Sequence, residues 1–165
     1  MTPVKWLSNH RLAVVIPAFR TEQSIGQVVL TVPAFVSLIV VVDDCSPDAT
    51  AEIVLQLSQE DSRVRLLRHA KNQGVGAAMM SGYSLACKLG AEVIVKMDGD
   101  GQMDPAQLAP LVAPILRGHA DYSKGNRFLH SRQLHRMPIA RRIGNLGLSF
   151  LTKIASGYWT VFDPT

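Results

Sequence analysis

Residues Val93–Gln102 read Val-Ile-Val-Lys-Met-Asp-Gly-Asp-Gly-Gln, an apolar run that stops at two carboxylates. Such a run, bounded by Asp-Gly-Asp-Gly, indicates a buried strand that delivers acids to the edge of a sheet. Asp98 and Asp100, spaced i, i+2 on one turn, can share a hard divalent cation. Mg²⁺ and Mn²⁺ prefer such oxygen ligands and leave room for substrate phosphates. The stretch therefore predicts a metal site at a strand end, against the plainer interpretation of a polar turn with incidental acids.

Three further apolar runs upstream predict strands, and helical spacing between them predicts helices. We expect strands at 12–16, 38–42 and 64–67, and helices at 22–32, 49–59, 77–89 and 105–117. The apolar runs are continuous, which is typical of strands covered on both faces. Strands that alternate with helices form βαβ units. The sequence therefore predicts an α/β fold, a doubly wound, mostly parallel sheet with helices on both faces.

Polar clusters follow each predicted strand: Pro17–Glu22, Asp43–Asp44, His69–Gly76 and Asp98–Gln102. Ligands of doubly wound sheets bind beyond the carboxyl ends of the strands, where the strand order reverses. We expect the acids after the second and fourth strands to form one acidic pocket. A nucleoside diphosphate could bind there only with a metal between the like charges, which favours a nucleotide with a divalent cation.

Length and composition fit one soluble globular domain spanning residues 1–165. The chain is 47% hydrophobic and 18% charged, and no run of 18 apolar residues occurs. Cys45 and Cys87 lack the spacing of a zinc site or a disulfide framework, so they are interpreted as core residues in a reducing compartment.

The net charge of +4 is unevenly distributed. Residues 1–121 hold ten basic and twelve acidic residues, whereas residues 122–162 hold seven basic residues and no acid. Such a block indicates an anionic partner. Arg127, Arg141 and Arg142 are candidates to bind phosphate, because guanidinium pairs with it bidentately. The block lacks interleaved aromatic residues, so nucleic acid is not an expected partner.

Two common nucleotide-binding motifs are excluded. The segment 74–79 has Met79 where the dinucleotide fingerprint needs a small residue, and it follows the third predicted strand instead of the first. No GxxxxGK[ST] motif is present. The small residues of this segment are expected to let a helix approach a strand closely. His69 is interpreted as a hydrogen-bonded histidine at a strand end, not as a catalytic base.

Five segments, in matching order and spacing, are similar to the motifs of one family. They are 15–22 (IPxYNE), 41–50 (VVDDxSxDxT), 72–78 (NxGxGxA), 98–102 (DxDxQ) and 125–128 (GSRF). The chain resembles the nucleotide-sugar-binding domain of the family 2 glycosyltransferases, which have the GT-A fold. Within that family it looks like the polyprenyl-phosphate hexosyltransferases, of the dolichyl-phosphate mannosyltransferase type. Arg20 and Thr21 depart from the first motif, which leaves the choice between UDP- and GDP-hexose open.

The resemblance implies a role for each matching residue. Pro17, Phe19, Glu22, Asp44 and Asp98 would bind the nucleotide sugar. Asp98, Asp100 and Gln102 would bind Mg²⁺ or Mn²⁺ against the diphosphate, with Asp100 counted as catalytic. Arg127, with Arg141 or Arg142, would bind the acceptor phosphate, and Arg127 would also be catalytic. The implied enzyme is an inverting hexosyltransferase that acts at the inner, cytoplasmic face of the membrane.

The chemical class of the acceptor decides whether the transfer reaction needs a general base. A lipid phosphate, with a second pKa of about 6, is largely dianionic at neutral pH and needs only cationic positioning. A saccharide hydroxyl acceptor, the first alternative, would need a carboxylate base. Asp163 is the only acid after Asp121 and is the candidate for that role.

Two further expectations concern the class and extent of the protein. The second alternative is a phospho-receiver-like signalling domain, because paired acids after a strand also occur there. The final residues, Asp163-Pro164-Thr165, resemble the start of the family's DPxxG segment. We therefore expect a fragment that is incomplete at its C-terminus and lacks part of the acceptor site.

Overall fold

The computed structural model describes residues 6–125, which contain four strands and four α-helices. The elements are β1 Leu12–Ala18, α1 Ile25–Thr31, β2 Leu38–Asp43, α2 Thr50–Glu60, β3 Val64–Arg68, α3 Gly74–Lys88, β4 Val93–Lys96 and α4 Leu108–Leu116. Short 3₁₀ turns lie at Leu7–Asn9 and Pro105–Gln107. No helix within this part of the chain has the length and apolar character needed to cross a membrane.

The sheet is parallel throughout the described residues, in the order β3-β2-β1-β4. Strand β1 is central: Ile16 pairs with Val41 of β2, and Val14 pairs with Val95 of β4. The chain adds β2 and β3 on one side of β1 and then crosses to the other side with β4. The strand order therefore reverses between β1 and β4, and ligands of such sheets bind at the carboxyl ends of those strands.

Both faces of the sheet are covered, as the continuous apolar runs predict. On one face, Val14, Ile16 and Val41 pack in a cluster with residues from α1, α2 and α4. On the other, Val15 and Val40 pack against α3. Every residue of Leu12–Ile16 is almost fully buried. The prediction of a doubly wound, mostly parallel sheet is confirmed.

Several predicted element boundaries were wrong. Strand β1 does not stop before Pro17, because Pro17 remains in register with Val42 of β2. Helix α1 begins at Ile25 and not at residue 22, since the residues before it form a turn in which the Thr21 carbonyl accepts from Ile25 N–H. Helix α3 begins at Gly74, three residues earlier than expected.

Of the small residues in 74–79, Ala78 is fully buried against the sheet as predicted, but the glycine that permits close helix–sheet packing lies outside that segment. A Cβ added at Gly74 or Gly76 would meet nothing within 4 Å. A Cβ at Gly82 would collide with Val15 Cγ1 of β1. Gly82 therefore sets how closely α3 approaches the sheet, whereas Gly74 has a φ of +84° and a hydrogen-bonding role described below.

The described residues up to Ser123 form one compact unit. The prediction that residues 1–165 form a single domain stays a prediction.

Candidate functional site

A cleft of about 650 Å³ lies at the carboxyl edge of the sheet. Three segments contribute to it, and each follows a different strand: β1, β2 or β4. The lining residues are Arg20, Thr21, Glu22, Gln23, Ser24, Pro47, Asp48 and Asp100. Ligand pockets for small molecules typically have volumes of about 300–1,000 Å³. The cleft is therefore large enough for a nucleotide, and it lies where the reversal of strand order predicts a ligand.

The loop after β1 is fastened to the loop after β2 by backbone donors. Arg20 N–H donates to Ser46 Oγ at 3.1 Å, and Thr21 N–H donates to Thr50 Oγ1 at 3.0 Å. Arg20 adopts a φ of +56°, in the left-handed region that residues with a side chain seldom occupy. These bonds hold that backbone and fix the direction in which the Arg20 side chain leaves the loop.

The carboxylates of Glu22 and Asp48 stabilise the start of α2. Glu22 Oε2 accepts from Ala49 N–H at 3.1 Å, while Asp48 Oδ1 accepts from the N–H and the hydroxyl of Thr50. Burial by itself would raise the pKa of Asp48, but the hydrogen bonds from Thr50 and from Glu22 N–H outweigh it and lower that pKa. Both carboxyl groups lining this side of the cleft thus already accept hydrogen bonds from the start of α2.

The loop after β4 is held against the loop after β1. Ser24 Oγ donates to the Gly99 carbonyl at 2.6 Å. Gly99 is buried, and a Cβ there would lie 3.3 Å from the Pro17 carbonyl oxygen. The peptide between Asp98 and Asp100 therefore fits closely under β1, so the positions of both carboxylates depend on this contact.

Asp98 and Asp100 each have one carboxylate oxygen engaged within the described residues. Lys96 Nζ lies 2.7 Å from Asp98 Oδ1, and Gln102 N–H donates to Asp100 Oδ1 at 3.0 Å. Asp98 is half-buried and Asp100 exposed, and only Asp100 lines the cleft. Gln102 is exposed, with its backbone supporting Asp100.

This donor set fits one kind of metal ion. Within residues 6–125 no three His, Cys, Asp or Glu side chains come close enough to form a metal cage. Two carboxylates on one turn match a cation that takes its other ligands from water and substrate phosphates, as Mg²⁺ does. A structural zinc site, which needs four protein ligands, does not fit.

The acidic pocket expected from Asp43 or Asp44 with Asp98 and Asp100 is not formed, because Asp43 and Asp44 are bound to other partners; the acid after β2 that lines the cleft with Asp100 is Asp48. Strands β2 and β4 are separated by β1, so their ends lie about 10 Å apart from strand spacing alone. Asp43 is buried, with its Oδ2 3.2 Å from Arg68 Nε and both of its oxygens near Ser46 N–H. Neither Asp43 nor Asp44 lines the cleft.

Asp44 joins the ends of two strands to the start of α3. Its Oδ1 accepts from His69 Nδ1–H at 2.7 Å and from Gln73 N–H at 2.9 Å, and its Oδ2 accepts from Gly74 N–H at 2.7 Å. Burial opposes ionisation, but these hydrogen bonds and the nearby imidazole outweigh it and lower the pKa of Asp44. The early start of α3 has the same cause, because Asp44 caps the helix from outside it. Contact between Asp44 and a nucleoside stays a prediction.

His69 is hydrogen-bonded on both ring nitrogens, as the interpretation of a satisfied strand-end histidine requires. Its Nε2 lies 2.9 Å from Ser81 Oγ, and the residue is buried. The order Asp44–His69–Ser81 has the connectivity of a hydrolytic triad. Ser81 lies within α3 and does not line the cleft, so the chain of hydrogen bonds stabilises the β3–α3 connection.

Phe19 is not a core residue, since it is 43% exposed. The Arg20 guanidinium carbon lies 5.2 Å from the centre of its ring. One side of the ring is thus occupied by a cation, which is favourable for a guanidinium over an aromatic face. Pro17 is half-buried inside β1.

The structure brings some predicted site residues to the cleft and leaves others beside it. Glu22 and Asp100 line the cleft, whereas Pro17, Phe19, Asp44, Asp98 and Gln102 do not. Arg127, Arg141, Arg142 and Asp163 lie outside the described residues. The roles assigned to all of these residues stay predictions.

Three residues of the cleft were not expected from the sequence: Arg20 with its cation, Ser24 with its hydroxyl and Asp48 with its carboxylate. The positions of Arg20 and Ser24 could have indicated their part in the site. Both follow the strand at which the strand order reverses, where polar residues meet a ligand.

The chain belongs to glycosyl transferase family 2, whose family model matches residues 13–165. This confirms the resemblance inferred from the five motifs. A UDP-N-acetylglucosamine–dolichyl-phosphate N-acetylglucosaminyltransferase of Methanococcus voltae is 32% identical in an alignment of 166 positions that covers 93% of this chain and 66% of that protein. An undecaprenyl-phosphate mannosyltransferase of Micrococcus luteus is 30% identical in an alignment of 162 positions that covers 90% of this chain and 65% of that protein. The chain thus spans about two thirds of the length of each of these relatives.

The fold is similar to that of solved glycosyltransferases. One is glucosyl-3-phosphoglycerate synthase of Mycobacterium tuberculosis, crystallised with Mn²⁺, UDP and glucosyl-3-phosphoglycerate. Its TM-score is 0.54 at 23% identity, over 68% of this chain and 43% of that chain. This likeness confirms the GT-A fold predicted from the sequence.

Proposed function

We propose that this chain is the donor-binding part of an inverting hexosyltransferase that moves a sugar from a nucleoside diphosphate to a polyprenyl phosphate. The observation that carries the proposal is the cleft at the reversal of strand order, where Asp100 faces the loops after β1 and β2. Family membership supports the reaction class, and both relatives named above carry the name of a transferase to a polyprenyl or dolichyl phosphate.

The donor would lie in the cleft with its diphosphate toward Asp100. Asp98 and Asp100 would hold Mg²⁺ or Mn²⁺, with Gln102 supporting Asp100 through its backbone. A cation held there would supply positive charge against the charge that develops on the departing nucleoside diphosphate. The Ser24–Gly99 hydrogen bond keeps the two carboxylates in position. Phe19 and Pro17, at the end of β1, would meet the nucleoside.

The acceptor phosphate needs cations and no base. Because its second pKa is about 6, it reaches the anomeric carbon largely as a dianion at neutral pH. Arg127, with Arg141 or Arg142, would hold it, and the acid-free basic block would contact the membrane surface at its inner, cytoplasmic face. A saccharide acceptor would require Asp163 as base.

The phospho-receiver alternative lacks its metal site. That function needs the paired acids after a strand to be open to Mg²⁺, but Asp43 and Asp44 are buried and bound to protein donors. The family match to the glycosyltransferases also disfavours it.

Calorimetric titration with UDP and with GDP, each with and without Mn²⁺, tests the donor site. We expect one nucleotide to bind, and to bind more tightly with metal. We expect Asp100→Asn to abolish the metal-dependent part of that affinity. Asp104→Asn is the matched control, because Asp104 caps the Pro105–Gln107 turn outside the cleft and asparagine is an equally good cap. Folded protein that binds neither nucleotide would overturn the proposal.

The acceptor class has its own test. We expect the protein to transfer labelled sugar to polyprenyl phosphate in vesicles. The donor is the nucleotide sugar whose nucleotide the protein binds. Transfer to a saccharide instead, lost in Asp163→Asn, would favour the hydroxyl acceptor.

A further inference from the structure

We propose that Arg20 binds the diphosphate of the donor, so that part of the nucleotide's affinity does not depend on metal. This inference rests on the proposed function, because it assigns a new contact to the same cleft. Arg20 stands where the family motif has a different residue, so the contact is a property of this chain.

The charges of the cleft create a need for such a cation. Among its lining residues Arg20 is the only positive group, and it faces the acids Glu22, Asp48 and Asp100. A diphosphate entering this cleft would be repelled by three carboxylates unless a positive charge offset them. The metal expected at Asp100 supplies charge on the β4 side, and Arg20 supplies it on the β1 side.

The Arg20 guanidinium is available for an incoming anion. Within the described part of the chain no carboxylate lies within ion-pair distance of it, although three acids share its cleft. Glu22 and Asp48 direct their oxygens at the first N–H groups of α2. The side chain is exposed.

The side chain is also held in place before a ligand arrives. Arg20 keeps a φ of +56°, and its N–H is bound by Ser46 Oγ. Its guanidinium lies over the Phe19 ring at 5.2 Å, which restricts its rotamers. A non-glycine residue kept in this backbone conformation is strained, and such strain recurs at ligand-binding sites.

The guanidinium group of Arg20 is better suited to bind phosphate than to bind the sugar or the base. Its planar fork presents parallel N–H donors that match two phosphate oxygens. The guanidinium carbon lies 5.2 Å from the centre of the Phe19 ring, and within the described residues no acceptor engages the guanidinium N–H groups. Binding of Arg20 to the nucleobase instead of the phosphate would give a distinct and testable result.

The test compares Arg20→Gln with wild type for UDP, UMP and uridine, or for the guanine series if GDP is the nucleotide that binds. Without metal, we expect the Kd for the diphosphate to rise about tenfold, as for loss of a charge-assisted hydrogen bond, and the Kd for the nucleoside to stay unchanged. Lys88→Gln is the matched control, because it removes the same charge at the far end of α3.

A second variant separates binding from folding. Arg20→Gly should raise the thermal unfolding temperature, because glycine adopts a positive φ without strain, and should weaken diphosphate binding as Arg20→Gln does. A purely structural arginine would not give greater stability together with weaker binding.

Three results would overturn the inference. Equal loss of nucleoside and diphosphate binding in Arg20→Gln would mean that Arg20 stacks on the base. If Arg20→Gln binds the diphosphate with wild-type affinity while Asp100→Asn loses metal-dependent binding, Arg20 does not bind the donor and the proposed function stands. No nucleotide binding by folded wild-type protein would overturn both.

Discussion

Ser24 Oγ donates a 2.6 Å hydrogen bond to the carbonyl of Gly99, joining residues 75 positions apart. Ser24 lies at the entrance to α1, and Gly99 separates the two acids after β4. The bond crosses the point where the strand order reverses. It makes the loop that bears Asp100 and the loop that bears Arg20 one unit, so a change on either side of the cleft affects the other.

Ser24→Ala tests this connection. We expect the free energy of unfolding to fall by about 1 kcal/mol, the usual net value of a hydrogen bond, and Mn²⁺-dependent nucleotide affinity to fall because Asp98 and Asp100 lose a constraint. Urea unfolding and calorimetry measure the two effects. Ser58→Ala is the control, since Ser58 Oγ bonds only locally, to the Leu55 carbonyl. Equal nucleotide affinity in both variants would contradict the connection.

Gly99→Ala tests how closely the acidic loop fits under β1. The new Cβ would lie 3.3 Å from the Pro17 carbonyl, which is backbone inside a paired strand and has little room to move. We expect a loss of about 1 kcal/mol in unfolding free energy and weaker metal-dependent nucleotide binding. A variant with wild-type stability and affinity would show that the loop can shift freely.

Gly82→Ala tests the packing of α3 on the sheet. Its Cβ would collide with Val15 and lie 3.0 Å from Val42 Cγ2, so we expect a loss of about 1–3 kcal/mol in unfolding free energy. Gly76→Ala, in the same helix, meets no atom within 4 Å and should stabilise by about 0.5–1 kcal/mol. Destabilisation by both substitutions would mean that the effect of Gly82 is not steric.

The pH dependence of stability tests Asp44. Its pKa in the folded state is lowered from the ordinary value of 3.8, so its contribution to stability is complete above that value and is lost as the pH falls through the lower, folded-state pKa. In Asp44→Asn the side chain carries no negative charge with which to accept hydrogen bonds. Its amide NH₂ would also face the N–H groups that donate to Asp44. We expect this variant to be less stable than wild type by about 1–3 kcal/mol at neutral pH.

The difference between wild type and Asp44→Asn should shrink as the pH falls from about 5 toward 2, because protonated Asp44 loses the same interactions. Chemical denaturation across that range measures it. Asp121→Asn, at an exposed position, is the control. A constant difference at all pH values would contradict ionisation as its source.

Much of the fold follows from local sequence. The runs that became β1 and β2 are continuous because both of their faces are covered, and alternation with helices then requires parallel strands. The late start of α1 has a local cause, whereas the error at the end of β1 came from a distant partner, Val42. Asn72 Oδ1 accepts from Gly74 N–H locally, but the Asp44 carboxylate that also caps the start of α3 lies 30 residues away and is not indicated by the local sequence.

The candidate site, like the fold, was predicted from the sequence only in part. Sequence motifs selected Asp100 and Glu22, which line the cleft, and also selected Asp44, whose oxygens turned out to be used by His69, Gln73 and Gly74. A motif indicates which residue types meet a ligand but not which donors inside the protein already bind them. That competition is decided by strand order, which put β1 between Asp44 and the acids after β4.

Periodicity and motif spacing are properties of the chain alone, and they sufficed to predict the family, the parallel α/β architecture and the pair of acids after β4. That Arg20 shares a cleft with Asp100, and that Ser24 holds Gly99, follows only from the folded arrangement. These contacts join residues 75–80 positions apart, and they form only when packing of both faces of the sheet sets β1 beside β4.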